Sequence, residues 1–366
     1  MRLSGRRVVL GVSGGIASYK ACIVARRLTE AGAEVDTILT LSAAEFVRPV
    51  TFEALTGRVV LTSLWERGQA LAHIELARDA QLVVVAPATA NLLARAAQGM
   101  ADDLLTALLL ARTGPVLVAP AMNDRMFAHP ATQANLKVLK GRGWAVVGPD
   151  VGALAEGPSE LPGRMVEPET ILAHAERLLR GTNGKLAGRR VVVTAGPTRE
   201  ALDPVRVFTN RSSGRMGYAL AAAAFARGAD VRLISGPTQL APPPGVETVR
   251  VETTEELEAA VARSLKGTDI LVMAAAPADF RPRSHSRTKR ARGDGPITLD
   301  FDPTADILES TRKRRTKCVT VGFALETGDG LARARDKLAR KGVSLLVVNR
   351  ADQPDAGAEV ETNRVT

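Results

Sequence analysis

The stretch RRVVLGVSGGIASYK, Arg6–Lys20, decides the fold. Its first half is a short β-branched run, which reads as a buried strand. SGG (Ser13–Gly15) turns the chain, and a helix is predicted over Ala17–Ala31. AEVDTILT (Ala33–Thr40) supplies the next strand. Strand, glycine turn, helix, strand is a βαβ unit, and such units build parallel sheets. Further strands are predicted at Leu82–Ala86, Pro115–Ala119 and Trp144–Val147, with a helix at Pro168–Arg180. The opening then recurs. GRRVVVTAG (Gly188–Gly196) echoes GRRVVLGVSG (Gly5–Gly14) after a polar, glycine-rich break, GTNGKLAG (Gly181–Gly188). A helix over Met216–Gly228 and the strand ADVRLISG follow. More strands are predicted at Asp269–Ala274, Ile297–Phe301, Cys318–Gly322 and Ser344–Val348. The chain therefore reads as α/β, with two doubly wound domains, 1–184 and 185–366. In such folds ligands bind beyond the carboxyl ends of the strands.

Composition narrows the classes. The 366 residues suffice for two or three domains. Aromatics make up only 3%, so Ala, Val and Leu fill the core. The longest apolar runs, such as Leu104–Ala111, are far too short to span a membrane. The basic-then-apolar N-terminus imitates a signal peptide, but its apolar part is a first strand ending in a glycine turn. Two cysteines, Cys22 and Cys318, form no framework, which points to a reducing, cytoplasmic setting. The formal charge is +10. Its arginines are scattered along helices without interleaved aromatics, so no nucleic-acid platform is expected. They are either solvated faces or a preference for phosphate-bearing small ligands.

Several strand ends carry chemistry. Ser13 and Gly14 sit where a helix N-terminus favours a phosphate, although many α/β proteins keep such a turn for packing alone. In APATAN (Ala86–Asn91) small residues permit close approach of a flat ring, and APAMNDRM (Ala119–Met126) follows the next strand end. His73, in AHIEL, is a candidate acid/base or carboxylate-binding group, or a half-buried structural histidine. VGALAEGPSELPGR (Val151–Arg164) is either a linker or a mobile flap with Glu156 as a working group. In the second half, VTAGPTREALDPVRVFTNRSSGRMG (Val193–Gly217) places Asn210, Arg211, Ser212 and Ser213 before a helix. There they serve phosphate and oxyanions, or merely cap the helix. Lys337 and Lys341 are four apart on one helix, facing either a ligand or solvent.

The ordered set SGGIASYK, HIELARDA, APATANLLARAAQGMADDLL, APAMNDRMFAHPA and PGRMVEP resembles the flavin-dependent cysteine decarboxylases. With AAAPADFRP, TKRARGDGPITLDFDPTADIL, GFALET, ARDKLARKG and VVNRAD following, nearly the whole chain resembles the bacterial bifunctional phosphopantothenoylcysteine decarboxylase/phosphopantothenate–cysteine ligase family. The resemblance implies a flavodoxin-like domain followed by a Rossmann-like one. It implies FMN as the electron sink for decarboxylating a cysteine moiety through thioaldehyde and enethiolate stages. It places Ser13, Gly14, Thr40, Pro87, Ala88, Thr89 and Asn91 around FMN, gives His73 a part in decarboxylation, and has Asn123, beside Met122, hold the substrate carboxylate. It also makes Val151–Arg164 a substrate flap, leaving Gly181–Gly188 as the linker. The family reads LACG there and this chain reads LAEG, with one extra residue before GRM. Glu156 thus stands where the family has its proton-donating cysteine, either as replacement donor or as a solvated bystander.

For the second half the resemblance implies activation of 4′-phosphopantothenate by CTP as an acyl-cytidylate, attacked by the amine of cysteine. Magnesium accompanies the triphosphate. By matching positions Asp279, Lys289, Ala305, Asp306, Ile307, Leu308, Phe323, Lys337 and Lys341 bind CTP. Asn210 and Arg211 contact the acyl-cytidylate, and Lys289 closes over it. Where the family has a lysine-rich loop, this chain reads Lys289-Arg290-Ala291-Arg292, and it stops at Thr366 where the family continues through a further strand and helix. The resemblance further implies a homo-oligomer, trimeric through the first half and dimeric through the second, hence a dodecamer. The partners are small molecules (4′-phosphopantothenate, cysteine, CTP, phosphopantothenoylcysteine), with no nucleic acid and no membrane. Two other readings stand beside the bifunctional enzyme: a ligase whose FMN-binding half does not complete reduction, and a flavoprotein scaffold.

Overall fold

The computed structural model describes residues 3–65, 69–180, 184–289, 298–326 and 331–350. The chain divides into two compact units, Met1–Gly181 and Thr182–Thr366.

In the first unit β1 (Arg7–Val12) leads through the SGG turn into α1 (Ser18–Glu30), then β2 (Glu34–Leu39), α2 (Leu41–Ala44), α3 (Pro49–Thr56) and α4 (Ala72–Asp79). Next come β3 (Leu82–Ala88), α5 (Ala90–Gln98), α6 (Leu104–Ala111), β4 (Val116–Pro120), α7 (Asp124–Ala128), α8 (Pro130–Gly141) and β5 (Ala145–Val146). The antiparallel pair β6 (Asp150–Val151) and β7 (Pro162–Arg164) precedes α9 (Pro168–Arg180). The main sheet is parallel in the order β2-β1-β3-β4-β5. This is the flavodoxin-like order, which reverses direction beside β1. The inner strands β1, β3 and β4 bury both faces. Leu82, Val84 and Ala86 of β3 join α1, α3 and α9 on one side, while Val83 and Val85 join α4, α5, α6 and α8 on the other. Burial on both faces is why these strands read as unbroken apolar runs rather than alternations.

The second unit runs β8 (Arg190–Ala195), β9 (Arg199–Ala201), β10 (Val207–Thr209), α10 (Arg215–Ala226), β11 (Asp230–Ser235), β12 (Glu247–Arg250), α11 (Thr254–Ser264) and β13 (Ile270–Met273). It continues with β14 (Phe280–Pro282), β15 (Phe301–Pro303), α12 (Ile307–Ser310), a 3-10 turn at Arg312–Arg314, β16 (Val319–Glu326), α13 (Leu331–Lys341) and β17 (Leu345–Arg350). Its parallel sheet is ordered β12-β11-β8-β13-β16-β17. Counted from its own first strand, that is the 3-2-1-4-5-6 order of Rossmann folds. Two ribbons, β9/β10 and β14/β15, stand apart from the sheet, and Phe208 packs on Phe301 between them at 5.0 Å. Here the structure departs from the strand predicted at Ile297–Phe301. The strand starts at Phe301 and pairs antiparallel with Phe280–Pro282, because its partner is a ribbon and not the sheet. Ile297 lies outside the described residues.

Candidate active site

In the first unit the loops after β1, β2, β3 and β4 enclose a cavity of about 910 Å³. Three helix starts border it: Gly14–Ala17 before α1, Thr40 at the N-cap of α2 and Thr89 at the N-cap of α5. Each cap threonine accepts a main-chain N–H of its helix, Ala43 N at 3.2 Å and Leu92 N at 3.4 Å. Gly14 is fixed by packing, since a Cβ there would lie 2.3 Å from Cβ of Ser42. Gly15 is open, with only Thr89 Cγ2 within 4 Å of such a Cβ, at 3.6 Å. Ser13 borders the cavity, but its hydroxyl is engaged internally. Oγ lies 2.8 Å from the Pro87 carbonyl and accepts Thr89 N at 3.0 Å, latching the β1 turn to the β3 turn. Asn91 is exposed on the cavity wall, whereas Pro87 and Ala88 are buried behind it.

The far wall joins the β4 end to the flap. Asn123 caps α7, its Oδ1 accepting Arg125 N at 2.8 Å. Its Nδ2 donates to the Glu156 carboxylate. Glu156 is exposed at a tight tip where Leu154 and Gly157 exchange main-chain hydrogen bonds of 2.8 and 3.1 Å. The base of the flap is tied down by Met122 N donating to the Gly163 carbonyl at 3.0 Å. The Ser159 hydroxyl donates to Asp124 and thereby holds that carboxyl below the usual carboxylate range. Met122, Asn123 and Glu156 all line the cavity.

His73 does not. It opens α4 and borders a second space of about 480 Å³ with Ala70, Ile74, Ala101, Ala107 and Leu110. Its Nδ1 is buried without a hydrogen-bond partner among the described residues. Leu64 and Trp65 border both spaces.

The sequence reading assigned no role to Lys20. Its buried ammonium lines the large cavity, donates to the Met165 carbonyl at 3.3 Å and pairs with Glu167 at 3.0 Å. The contact joins α1 to the GRM segment across 145 residues, a distance no local motif records.

In the second unit the candidate residues follow the carboxyl ends of β8, β13 and β16. Asn210 Nδ2 donates to the Pro277 carbonyl at 2.9 Å. Asn210 and Arg211 precede the N-cap of α10, Gly214, by three or more residues, so neither caps that helix. Exposed Asp279 accepts Thr304 N through its carbonyl at 2.9 Å, and Thr304 Oγ1 donates to the Ala278 carbonyl at 2.6 Å. This staple holds the Ala305–Leu308 segment against the β13 loop. Asp306 caps α12, with Oδ1 accepting Leu308 N at 3.1 Å, while its other oxygen lies 3.2 Å from Lys341 Nζ. Lys337 and Phe323 are half-buried, on α13 and β16. Lys289 is exposed, and Arg290, Ala291 and Arg292 lie outside the described residues, as does the stretch 351–366. Thr198, whose Oγ1 accepts Ala278 N at 2.8 Å, and Thr304 hold these loops together and carried no assignment in the quoted motifs.

The first cavity fits a flavin mononucleotide. Its volume falls in the usual range for cofactor sites. The starts of α1 and α5 offer main-chain N–H groups to a phosphate. Leu39, Leu104, Leu105 and Met122 give apolar walls to a planar ring. Among the described residues no group of three or more His, Cys, Asp and Glu stands together to hold a metal ion, and no helix is long and apolar enough to cross a membrane.

Residues 1–180 match the Flavoprotein family, and residues 186–366 match the family of the DNA/pantothenate metabolism flavoprotein C-terminal domain. The chain is 45% identical to the coenzyme A biosynthesis bifunctional protein CoaBC of Bacillus subtilis, over 100% of this chain and 90% of that protein. It is 48% identical to the CoaBC of Mycobacterium tuberculosis (strain H37Rv), over 98% and 89%. Among solved structures, the FMN-dependent cysteine decarboxylase SpaF is similar at 34% identity, covering 47% of this chain and 96% of that one, with a TM-score of 0.42. The chain thus belongs to the bifunctional coenzyme A biosynthesis family, in which an FMN-dependent phosphopantothenoylcysteine decarboxylase is joined to a CTP-using phosphopantothenate–cysteine ligase.

Proposed function

We propose that residues 1–184 form the decarboxylase half, with its site in the large cavity, and residues 185–366 the ligase half. One observation carries the decarboxylase reading: inside a cavity bordered by the glycine turn that starts α1 and by the N-terminus of α5, the Asn123 amide already donates to a carboxylate, that of Glu156. Gly14, Thr40, Thr89 and Asn91 border the flavin, while Ser13, Pro87 and Ala88 shape the wall from behind. Bound FMN supplies the oxidation that makes CO₂ loss feasible and the reduction that restores a saturated thiol. Asn123, with Met122 beside it, orients the substrate carboxylate. His73 does not line this cavity and would assist CO₂ loss only from the adjoining space, which shares Leu64 and Trp65 with it. Glu156, at the flap tip beside Asn123, returns the proton.

In the ligase half Asp279, Lys289, Ala305, Asp306, Ile307, Leu308, Phe323, Lys337 and Lys341 receive CTP, with Mg²⁺ brought by the triphosphate. The substrate carboxylate displaces pyrophosphate to form the acyl-cytidylate, held by Asn210 and Arg211. The cysteine amine then attacks the acyl carbon, and CMP leaves with the bonding pair. The enzyme works in the cytoplasm as a homo-oligomer, trimeric through the first half and dimeric through the second. Supporting this, Trp65 (88% exposed), Leu71, Ile74 and Leu110 are exposed apolar side chains on the first unit, three of them bordering the His73 space. Val205, Val207 and Phe280 are likewise exposed on and beside the second unit's ribbons.

The test uses purified full-length protein. It should be yellow, release CO₂ from phosphopantothenoylcysteine, and release pyrophosphate only when CTP and 4′-phosphopantothenate are both supplied. Loss of CO₂ release with the pyrophosphate reaction intact would refute the decarboxylase assignment. Sedimentation as a monomer would refute the assembly.

A further inference from the structure

Arg315 is a buried cation that forms no salt bridge among the described residues, although Asp306 is near enough to act on its charge. Its residue is 5% exposed, and no carboxylate among the described residues accepts from it. All four terminal N–H groups are nevertheless used. Nη1 donates to Thr320 Oγ1 at 3.0 Å and the Gly342 carbonyl at 3.1 Å. Nη2 donates to the carbonyls of Leu308 and Lys341, both at 2.7 Å. Taking a guanidinium out of water without a carboxylate partner is costly, so such a site persists only where the hydrogen bonds offset the cost. Termination of α13 does not require it, because Gly342, in the left-handed region at φ +56°, already ends that helix. What the fork adds is a cross-link between two main-chain segments 33 residues apart in sequence, Leu308 at the start of α12 and Lys341 at the end of α13. The neighbouring Arg312 reinforces it by donating to the Arg340 carbonyl at 3.2 Å.

These are the segments that carry Ala305–Leu308 and the pair Lys337 and Lys341. We propose that Arg315 is a positioning residue of the nucleotide site, fixing the Ala305–Leu308 segment against the end of α13 so that both engage one triphosphate. The proposal rests on reading those residues as the CTP site. A lysine in its place keeps the charge but not the planar fork that reaches four acceptors at once.

The experiment measures pyrophosphate release by the full-length enzyme while CTP, 4′-phosphopantothenate and cysteine are varied in turn. Arg315→Gln is expected to raise the KM for CTP by about tenfold or more, with kcat falling less than about threefold and the KM for cysteine unchanged. Arg315→Lys should recover part of the CTP affinity. CO₂ release by the first half should stay at the parental rate. Should Arg315→Gln not fold, Thr320→Val removes one acceptor of the same fork and is expected to raise the CTP KM by about threefold. An unchanged CTP KM, or an equal rise in all three KM values, overturns the proposal. Lys337→Ala and Lys341→Ala separate the two claims. If neither raises the CTP KM, the site reading fails and the Arg315 role with it. If they do and the Arg315 and Thr320 variants do not, only the Arg315 role fails.

Discussion

Asn123 uses the two ends of one amide for different purposes. Its oxygen caps α7 and its nitrogen donates to Glu156. Asn123→Asp therefore keeps the cap, because aspartate is as good an N-cap as asparagine, but replaces the donor by a negative charge. That charge would face both Glu156 and the incoming substrate carboxylate. The expected result is a variant that retains FMN by its absorbance and loses CO₂ release by about 100-fold or more. Undiminished CO₂ release would remove Asn123 from the site. Glu156→Gln probes the other partner. The neutral amide keeps an acceptor for Asn123 but no acidic proton, so CO₂ should still be released while the unsaturated thiol accumulates, visible by mass spectrometry. Glu156→Cys should turn over at least as well as the parent. Saturated 4′-phosphopantetheine from Glu156→Gln at the parental rate would make the carboxyl a bystander. Both residues were legible as motif positions. Their contact was not, because 33 residues separate them. Lys20 and Arg315 were illegible for related reasons: Lys20 meets Met165 and Glu167 from 145 and 147 residues away, and three of the four acceptors of Arg315 are main-chain carbonyls, which leave no side-chain pattern in a sequence.

At the scale of elements, long buried pieces were easiest to read. α9 runs from Pro168 to Arg180, the bounds expected from the sequence, and α1 differs by one residue at each end. β12, the ribbon β9/β10 and strand β14 went unread, and β15 was expected a few residues too early. ETVR, REA, VFT and FRP are too short and too polar to show a period, and their pairing is set by tertiary contacts. The flap illustrates both outcomes. Its glycines and its GRM end were visible, but only the structure shows β7 lying directly on the start of α7. A Cβ on Gly163 would fall 2.6 Å from the Met122 carbonyl oxygen and 3.0 Å from Asp124 N, both main-chain atoms that cannot swing aside. Gly163→Ala should lift the flap base from Met122–Asp124 at a local cost of about 1–3 kcal/mol. CO₂ release is expected to fall at least tenfold, while CTP-dependent pyrophosphate release stays at the parental rate. Parental CO₂ release in this variant would show that the flap tolerates the shift and that its seat on α7 is not what positions Asn123.

The whole molecule is two α/β units with different strand orders, and the repeated GRRVV opening marks the first strand of each. The repetition in sequence reports a shared way of starting a parallel sheet, not a shared topology, because β1 is second and β8 third in its sheet. Each unit buries its own apolar clusters: two sandwich the first sheet and a third belongs wholly to the second unit. Separate cores make separate folding equilibria, and a ligand that binds one folded unit stabilises that unit alone. FMN at about 100 times its Kd adds ~2.7 kcal/mol to the unit that binds it. For a unit of this size, that corresponds to a rise of about 5–10 °C in its Tm. Calorimetry of the full-length protein should therefore resolve two transitions. FMN is expected to move one of them by that amount and leave the other in place, and CTP with Mg²⁺ to move only the other. Asn123→Asp should leave the FMN shift intact, because the residue caps α7 and its proposed partner is the substrate rather than the flavin phosphate. A single transition moved by either ligand would mean that the two halves unfold as one cooperative body, and the independence drawn from their separate cores would then be wrong.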